Sequence, residues 1–255
     1  MLDATFIRPY AHRGLHDVTR GIVENSQSAF ERAIALGIGI ECDLQPASDA
    51  TAMVHHDTTL DRVMEAVGPI SAHPPEALAR LAYRGSGDRM LTLAGLLELT
   101  AGRVPLMIEV KNDFVAPDHL FLTGISATLG RYQGPAALMS FDPEVIVALR
   151  ALAPGVPRGL VAGRYRETGW WSDRLTPARR AALSAMADAE RAGIAFANYH
   201  VADLPTPETR AMRARGTGHV FAWTVRTADD RARAAAHADA AVFEGEVPAM
   251  PGLPR

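Results

Sequence analysis

Gly39-Ile40-Glu41-Cys42-Asp43-Leu44 carries two carboxylates, two residues apart, inside an apolar run. Side chains of a strand alternate between faces, so Glu41 and Asp43 share one face while Ile40, Cys42 and Leu44 take the other. Read as a strand of a closed barrel, the run places two inward acids near the strand's C-terminal end. There they repel strongly unless a cation or a proton lies between them. Oxygen-rich pairs of this kind suit Mg²⁺ or Ca²⁺; a solvated strand end with two surface acids is the plain alternative.

Outward from that strand, short apolar runs alternate with longer amphipathic ones, the pattern of repeated β-α units. Strands are predicted over Ile7–Ala11, Gly39–Asp43, Val104–Glu109, Ala136–Ser140, Arg158–Val161, Ile194–Ala197, His219–Thr224 and Ala240–Phe243. Helices are predicted over Ser26–Leu36, Thr92–Thr100, Asp118–Leu129, Asp142–Leu152, Thr176–Ala192, Thr206–Arg215 and Ala228–Ala238. Asn25, Asp142, Thr176, Thr206 and Thr227 stand where N-caps belong. Eight strands with intervening helices favour a TIM-type (β/α)8 barrel over an open doubly wound sheet. No GxGxxG or Walker-type loop supports a nucleotide-binding alternative. Thr58–Met90, with Pro69, Pro74, Pro75 and Gly85, is too long for a plain connection and reads as a small insertion subdomain after the second strand. Arg164–Arg174 reads as a second rim feature, holding Trp170 and Trp171 in a polar loop. No linker or internal repeat divides residues 1–255, so one barrel domain is expected.

Composition agrees with that size and class. The 255 residues are 48% hydrophobic and 22% charged, an ordinary globular balance for a single barrel. A formal charge of −3 gives no bulk attraction to nucleic acid or to an anionic membrane surface. Any phosphate chemistry must therefore rest on a local site. The single cysteine, Cys42, excludes an internal disulfide. Residues 1–12 hold no apolar signal core and no apolar run reaches spanning length, so a soluble cytoplasmic protein without membrane insertion is the expectation.

Three further segments bring chemistry to predicted strand ends. Leu106-Met107-Ile108-Glu109-Val110-Lys111 repeats the alternating design, with Glu109 available to a three-carboxylate metal site and Lys111 to a phosphate oxygen. A structural ion pair between the two is the plain reading. Ala11-His12-Arg13-Gly14 supplies an imidazole that titrates near neutrality and a guanidinium fork for phosphate. Met53-Val54-His55-His56-Asp57 offers a second histidine beside a carboxylate, and two histidines from different strand ends suit a hydrolysis with two proton transfers. The other histidines, His200 among them, have no partner pattern and read as surface or satisfied core residues.

In this order the segments resemble the glycerophosphodiester phosphodiesterase family. The resemblance rests on His12-Arg13-Gly14, on Glu24-Asn25-Ser26 leading into Ala29-Phe30, and on Gly39 to Leu44. It continues through His56-Asp57 with Leu60 and Arg62, Glu109-Val110-Lys111, Ser140-Phe141-Asp142-Pro143 and Ala222-Trp223-Thr224-Val225. It implies a divalent cation, Ca²⁺ or Mg²⁺, on Glu41, Asp43 and Glu109, with His12 and His56 as the catalytic pair. It implies phosphate contacts from Arg13 and Lys111, an active-site loop holding Glu24 and Asn25, and Trp223 near a glycerol pocket. The implied reaction is metal-dependent hydrolysis of a glycerophosphodiester to sn-glycerol 3-phosphate and an alcohol. In the family the glycerol 2-hydroxyl attacks to give a cyclic phosphate that water opens; the residues leave direct water attack open, and also which histidine is the base. Family members commonly close the last strand with a Thr-Asp-x-Pro-like segment, whereas this chain reads Phe243-Glu244-Gly245-Glu246-Val247-Pro248. Rival readings are a lysophospholipase D-like enzyme on the same barrel, with Trp170 and Trp171 meeting an acyl chain, and a non-catalytic phosphodiester-binding relative.

Overall fold

The computed structural model describes residues 2–248. In chain order its elements are β1 (Tyr10–Ala11), α1 (Gln27–Ala35), β2 (Gly39–Pro46), β3 (Ala52–Val54), α2 (Pro75–Leu78), α3 (Leu93–Thr100), β4 (Leu106–Val110), α4 (His119–Leu129) and β5 (Ala136–Ser140). There follow α5 (Pro143–Leu152), β6 (Arg158–Ala162), α6 (Pro177–Ser184), α7 (Ala189–Ala192), β7 (Phe196–His200), α8 (Pro207–Arg215), β8 (His219–Val225), α9 (Ala228–His237) and β9 (Ala240–Phe243). Eight strands pair in parallel in the order β1-β2-β4-β5-β6-β7-β8-β9, and β9 returns to β1. The sheet is therefore closed, as the alternation of strands and helices predicts. The short β3 lies outside the ring, antiparallel on β2.

Two apolar layers follow from the period-2 pattern of the strands. Tyr10, Met107, Ala137, Met139, Val161, Phe196, Phe221 and Val242 fill the interior, joined by Leu2 and Phe6 from the segment before β1. Gly159 makes room for this layer, because a Cβ there would lie 2.4 Å from the Phe196 ring. Alternate residues of the same strands, including Ile40, Cys42, Leu44, Ile108 and Val110, join Phe30, Leu96, Ile125 and Ile146 of the helices in the outer shell. Cys42 thus sits on the face the alternation assigns it. Above the interior apolar layer, i+2 steps replace apolar side chains with polar ones: Tyr10 gives way to His12, Met107 to Glu109, Phe196 to Asn198 and Val242 to Glu244. That change of chemistry creates the site.

Departures from the expected elements have local causes. β1 is shorter than Ile7–Ala11, since Asp3 caps a 3-10 turn over Ala4–Phe6 and Pro9 has no N–H for a ladder. α1 is capped by Ser26, whose hydroxyl accepts from Ala29 N; Asn25 sits at φ +55° with its amide turned elsewhere. The helix expected over Thr176–Ala192 is two, because Met186 adopts φ +49° and buries its side chain in the shell. β4 and β7 run further toward their C-termini than the apolar runs suggest. Between residues 58 and 90, Leu60, Met64, Ile70, Leu78, Tyr83 and Met90 bury a small cluster of their own against Met53 and Ala47. Among the described residues no helix is long and apolar enough to cross a membrane.

Candidate active site

Glu41 and Asp43 reach into the barrel from β2, and Glu109 stands beside Asp43 in the register of β4. Each of these buried carboxylates offers an oxygen within 4.8 Å of the other two. Lys111 Nζ bridges the pair, 2.9 Å from Asp43 Oδ1 and 2.7 Å from Glu109 Oε1. Burial, with Asp43 and Glu109 alongside, pushes the Glu41 carboxyl well up. Burial also works against the charge on Asp43, but Lys111, His56 and Arg13 outweigh it and hold that carboxyl well below the usual range. Against the same cost of burial, Asp43 and Glu109 hold the Lys111 ammonium protonated. Three convergent hard oxygen donors suit Mg²⁺ or Ca²⁺ by their chemistry.

A strained turn after β1 delivers the next groups. Arg13 adopts φ +57° and Gly14 φ +78°, where a Cβ on Gly14 would lie 2.9 Å from the Ala29 side chain. Arg13 N then donates to Glu41 Oε2 at 3.0 Å, and its guanidinium donates to Glu24 Oε1 at 2.7 Å. The buried Nε of Arg13 lies 3.5 Å from Asp43 Oδ2 and makes no hydrogen bond among the described residues. Asn25 donates from Nδ2 to Asp43 Oδ2 at 2.9 Å. Glu24 and Asn25 lie behind the first layer, holding Arg13 and Asp43. Although burial raises Glu24, Arg62 and Arg13 draw its carboxyl down to about 2.

Both histidines that resemble the catalytic pair are anchored through Nδ1. His56 lies 2.7 Å from Asp57 Oδ1, and Arg62 donates to Asp57 Oδ2 at 2.6 Å. His12 lies 2.5 Å from Glu244 Oε1, and Arg226 donates to both oxygens of Glu244 at 2.7 and 2.9 Å. A charged carboxylate only accepts, so each Nδ1 carries the proton and each Nε2 is free for chemistry. Burial pushes the His12 imidazole down, against the raising effect of Glu244. His56 follows the antiparallel β3 rather than a barrel strand. Its neighbour His55 is 1% exposed and donates from Nε2 to Thr59 O at 3.0 Å, so the two adjacent histidines have separate tasks.

A cavity of about 490 Å³ brings these groups together. His12, Arg13, Glu41, Glu109, Lys111 and His56 line one side, with Phe141, Trp170, Asn198, His200 and Trp223 on the other. Trp223 packs edge-on against Phe141 at 5.4 Å, and its Nε1 donates to Ala162 O. Trp170, 48% exposed at the rim, packs on Phe141 and Phe114, whereas Trp171 packs against Tyr165.

A family model described as the glycerophosphoryl diester phosphodiesterase family matches residues 12–243. The chain belongs to that family. A curated glycerophosphodiester phosphodiesterase of Caldanaerobacter subterraneus is 34% identical over 160 residues, which is 59% of this chain. That match spans 65% of the curated relative, slightly under two thirds of its length. Among solved structures, an Oleispira antarctica phosphodiesterase in complex with the product sn-glycerol-3-phosphate superposes with a TM-score of 0.73. It is 21% identical, and the match covers 93% of this chain and 92% of that one. The glycerophosphodiester phosphodiesterase of Thermotoga maritima superposes with a TM-score of 0.70 at 17% identity, covering 92% and 93%. At these identities the structural likeness speaks for the barrel alone.

Asn198, His200, Gln45 and Arg226 are members of the constellation that the sequence reading did not gather, and Glu244, which it marked as a departure from the family's last strand, joins them through His12. Asn198 is 2% exposed, lines the cavity, and its Oδ1 has no hydrogen-bond partner among the described residues. The signal for it was the i, i+2 step from Phe196, which needed β7 to run through His200. Gln45 extends the Glu41-Asp43 face by one more step and donates to His56 O at 3.0 Å.

Proposed function

We propose that this family member hydrolyses glycerophosphodiesters to sn-glycerol 3-phosphate and an alcohol, with a divalent cation on Glu41, Asp43 and Glu109. The observation that carries the reading is a pair of histidines, each with Nδ1 bound to a carboxylate, lining the same cavity as three convergent acids. Charge supports the cation. Glu24, Glu41, Asp43, Asp57, Glu109 and Glu244 face Arg13, Arg62, Lys111 and Arg226, so ionising all six acids, Glu41 included, leaves two negative charges for a divalent ion to balance. When bound, such an ion polarises a phosphoryl oxygen as a Lewis acid.

The remaining steps belong to the chain. Arg13 Nε, buried beside Asp43 but without a hydrogen-bond acceptor among the described residues, is a donor ready for a phosphate oxygen, and Lys111 supplies a second charge. One histidine takes on Nε2 the proton of the attacking water or glycerol 2-hydroxyl as that oxygen bonds to phosphorus. The other, entering the step protonated on both ring nitrogens, gives its Nε2 proton to the alcohol oxygen as that P–O bond breaks; where the 2-hydroxyl attacks, water then opens the cyclic phosphate. Asn198 Oδ1 is an acceptor for a glycerol hydroxyl, with Trp223 and Phe141 against the carbon skeleton. The same product lies in the Oleispira relative.

The test is release of sn-glycerol 3-phosphate from glycerophosphocholine, glycerophosphoethanolamine and related diesters, after chelation and with Ca²⁺ or Mg²⁺ restored. Metal-dependent release is expected; folded protein that releases nothing with either metal refutes the assignment. The exposed Trp170 at the cavity rim favours a second reading, cleavage of lysophospholipids, which activity confined to acylated substrates would establish.

A further inference from the structure

Glu244 follows β9 in the position laterally next to His12, because β1 and β9 pair Ala11 with Phe243. Its backbone is fixed by donation from Glu244 N to Val225 O at 3.1 Å, and His12 N donates to Phe243 O at 3.0 Å. Its carboxylate accepts from His12 Nδ1 and is clamped by Arg226 at both oxygens. The arrangement repeats the one around His56, where Asp57 accepts from the ring and Arg62 holds Asp57. Each histidine therefore ends a chain of arginine, carboxylate and imidazole. Asp57 is contiguous with its histidine, while Glu244 comes from 232 residues away.

The opposite tautomer of His12, with its proton on Nε2, would leave that nitrogen without a lone pair for the substrate. We propose that Glu244 is a positioning residue that selects the Nδ1–H tautomer of His12 and holds its ring, leaving Nε2 to face the substrate, with Arg226 keeping Glu244 in place. This rests on the reading of His12 as a proton-transfer group. In turnover Nε2 accepts a proton while Nδ1–H stays with Glu244, and the carboxylate stabilises the resulting imidazolium until Nε2 gives the proton up.

The experiment combines ring ¹⁵N NMR of His12, assigned with His12→Ala, with steady-state kinetics of the metal-loaded enzyme. Wild type is expected to show the Nδ1–H tautomer. Glu244→Ala and Glu244→Thr should populate Nε2–H and lower kcat by about 10–100-fold with KM little changed. Glu244→Gln, whose amide oxygen still accepts from Nδ1, should keep the tautomer but lose the part of the rate that the carboxylate's charge supplies, falling between wild type and Glu244→Ala. In a His12→Ala background, Glu244→Ala should cost nothing further if it acts through the ring. An unchanged tautomer, or kcat within about twofold of wild type in Glu244→Thr, overturns the proposal; so does full additivity with His12→Ala. If alanine at 244 prevents folding, the threonine and glutamine variants carry the same readings. A tautomer switch in a protein that cleaves no diester would uphold Glu244's hold on the ring and sink the role given to His12.

Discussion

His55 and His56 are neighbours in sequence with opposite environments, and the difference makes them a sharp pair for mutation. His56 lines the cavity, backed by Asp57, and a general acid or base contributes roughly 10²–10⁴-fold to rate. His56→Ala and His12→Ala are each expected to lose activity in that range while keeping the wild-type circular dichroism. His55 is sealed in with its Nε2–H donated to Thr59 O. His55→Ala leaves that buried carbonyl unsatisfied and should cost about 1–3 kcal/mol in urea unfolding, with the folded fraction turning over near the wild-type rate. If His55→Ala is as inactive as His56→Ala at full folding, the division of tasks is wrong. Asn198 makes a different prediction, because its free Oδ1 is useful only when a donor arrives. Asn198→Leu keeps the volume, removes the acceptor, and should lower kcat/KM for a glycerophosphodiester by about 10–100-fold, the worth of one buried hydrogen bond left unmade.

Elements, rather than single residues, decide how these groups meet. The loop between β1 and α1 carries Arg13, Glu24 and Asn25, and residues between 58 and 90 hold that loop from outside. Tyr83 donates from its hydroxyl to Asn25 O at 2.9 Å, and Arg62 donates to Glu24 as well as Asp57. Glu24 is the electrostatic hinge of this contact. Its carboxyl lies at about 2 in the folded chain against an ordinary 4.5, so the unfolded chain binds more protons between those values. Stability from Glu24 is thus fully present above about 4.5 and is lost as pH falls toward about 2. Urea midpoints of wild type and Glu24→Gln should differ at neutral pH and converge over that window; a constant gap would mean the ion pairs contribute nothing to folding. The barrel itself was legible because eight short apolar runs alternate with amphipathic ones, and the alternation of Glu41 and Asp43 with Ile40, Cys42 and Leu44 gave the faces of one strand. The far side of the cavity was less so. Apolar content marks Ile194–Ala197, while the functional part of β7 is its polar end at Asn198 and His200, where a strand and a loop read alike. Nor does sequence order reveal that Glu244 meets His12, since ring closure of β9 on β1 alone makes them neighbours.

For the whole molecule the site is a conflict between stability and function. The chain carries a formal charge of −3, yet with only Lys111 and the Arg13 guanidinium as cations beside them it buries Glu41, Asp43 and Glu109 within one cluster. Burial and these neighbours push Glu41 up, so without a cation its charge works against the fold. A ligand that binds only the folded state adds RT ln(1 + [L]/Kd), about 2.7 kcal/mol at a hundredfold excess over Kd. For a chain this long, each kcal/mol moves Tm by about 2–4 °C. Chelated wild type should therefore melt several degrees below the Ca²⁺- or Mg²⁺-loaded protein. Glu41→Gln keeps an acceptor for Arg13 N and removes one like charge. It should melt higher than chelated wild type, lose the metal-induced rise and lose turnover. Calorimetry with and without the ion separates the two effects. A Glu41→Gln protein that melts lower than chelated wild type, or that still gains several degrees from the ion, would show that Glu41 is a packing group rather than a ligand held at the expense of the empty fold.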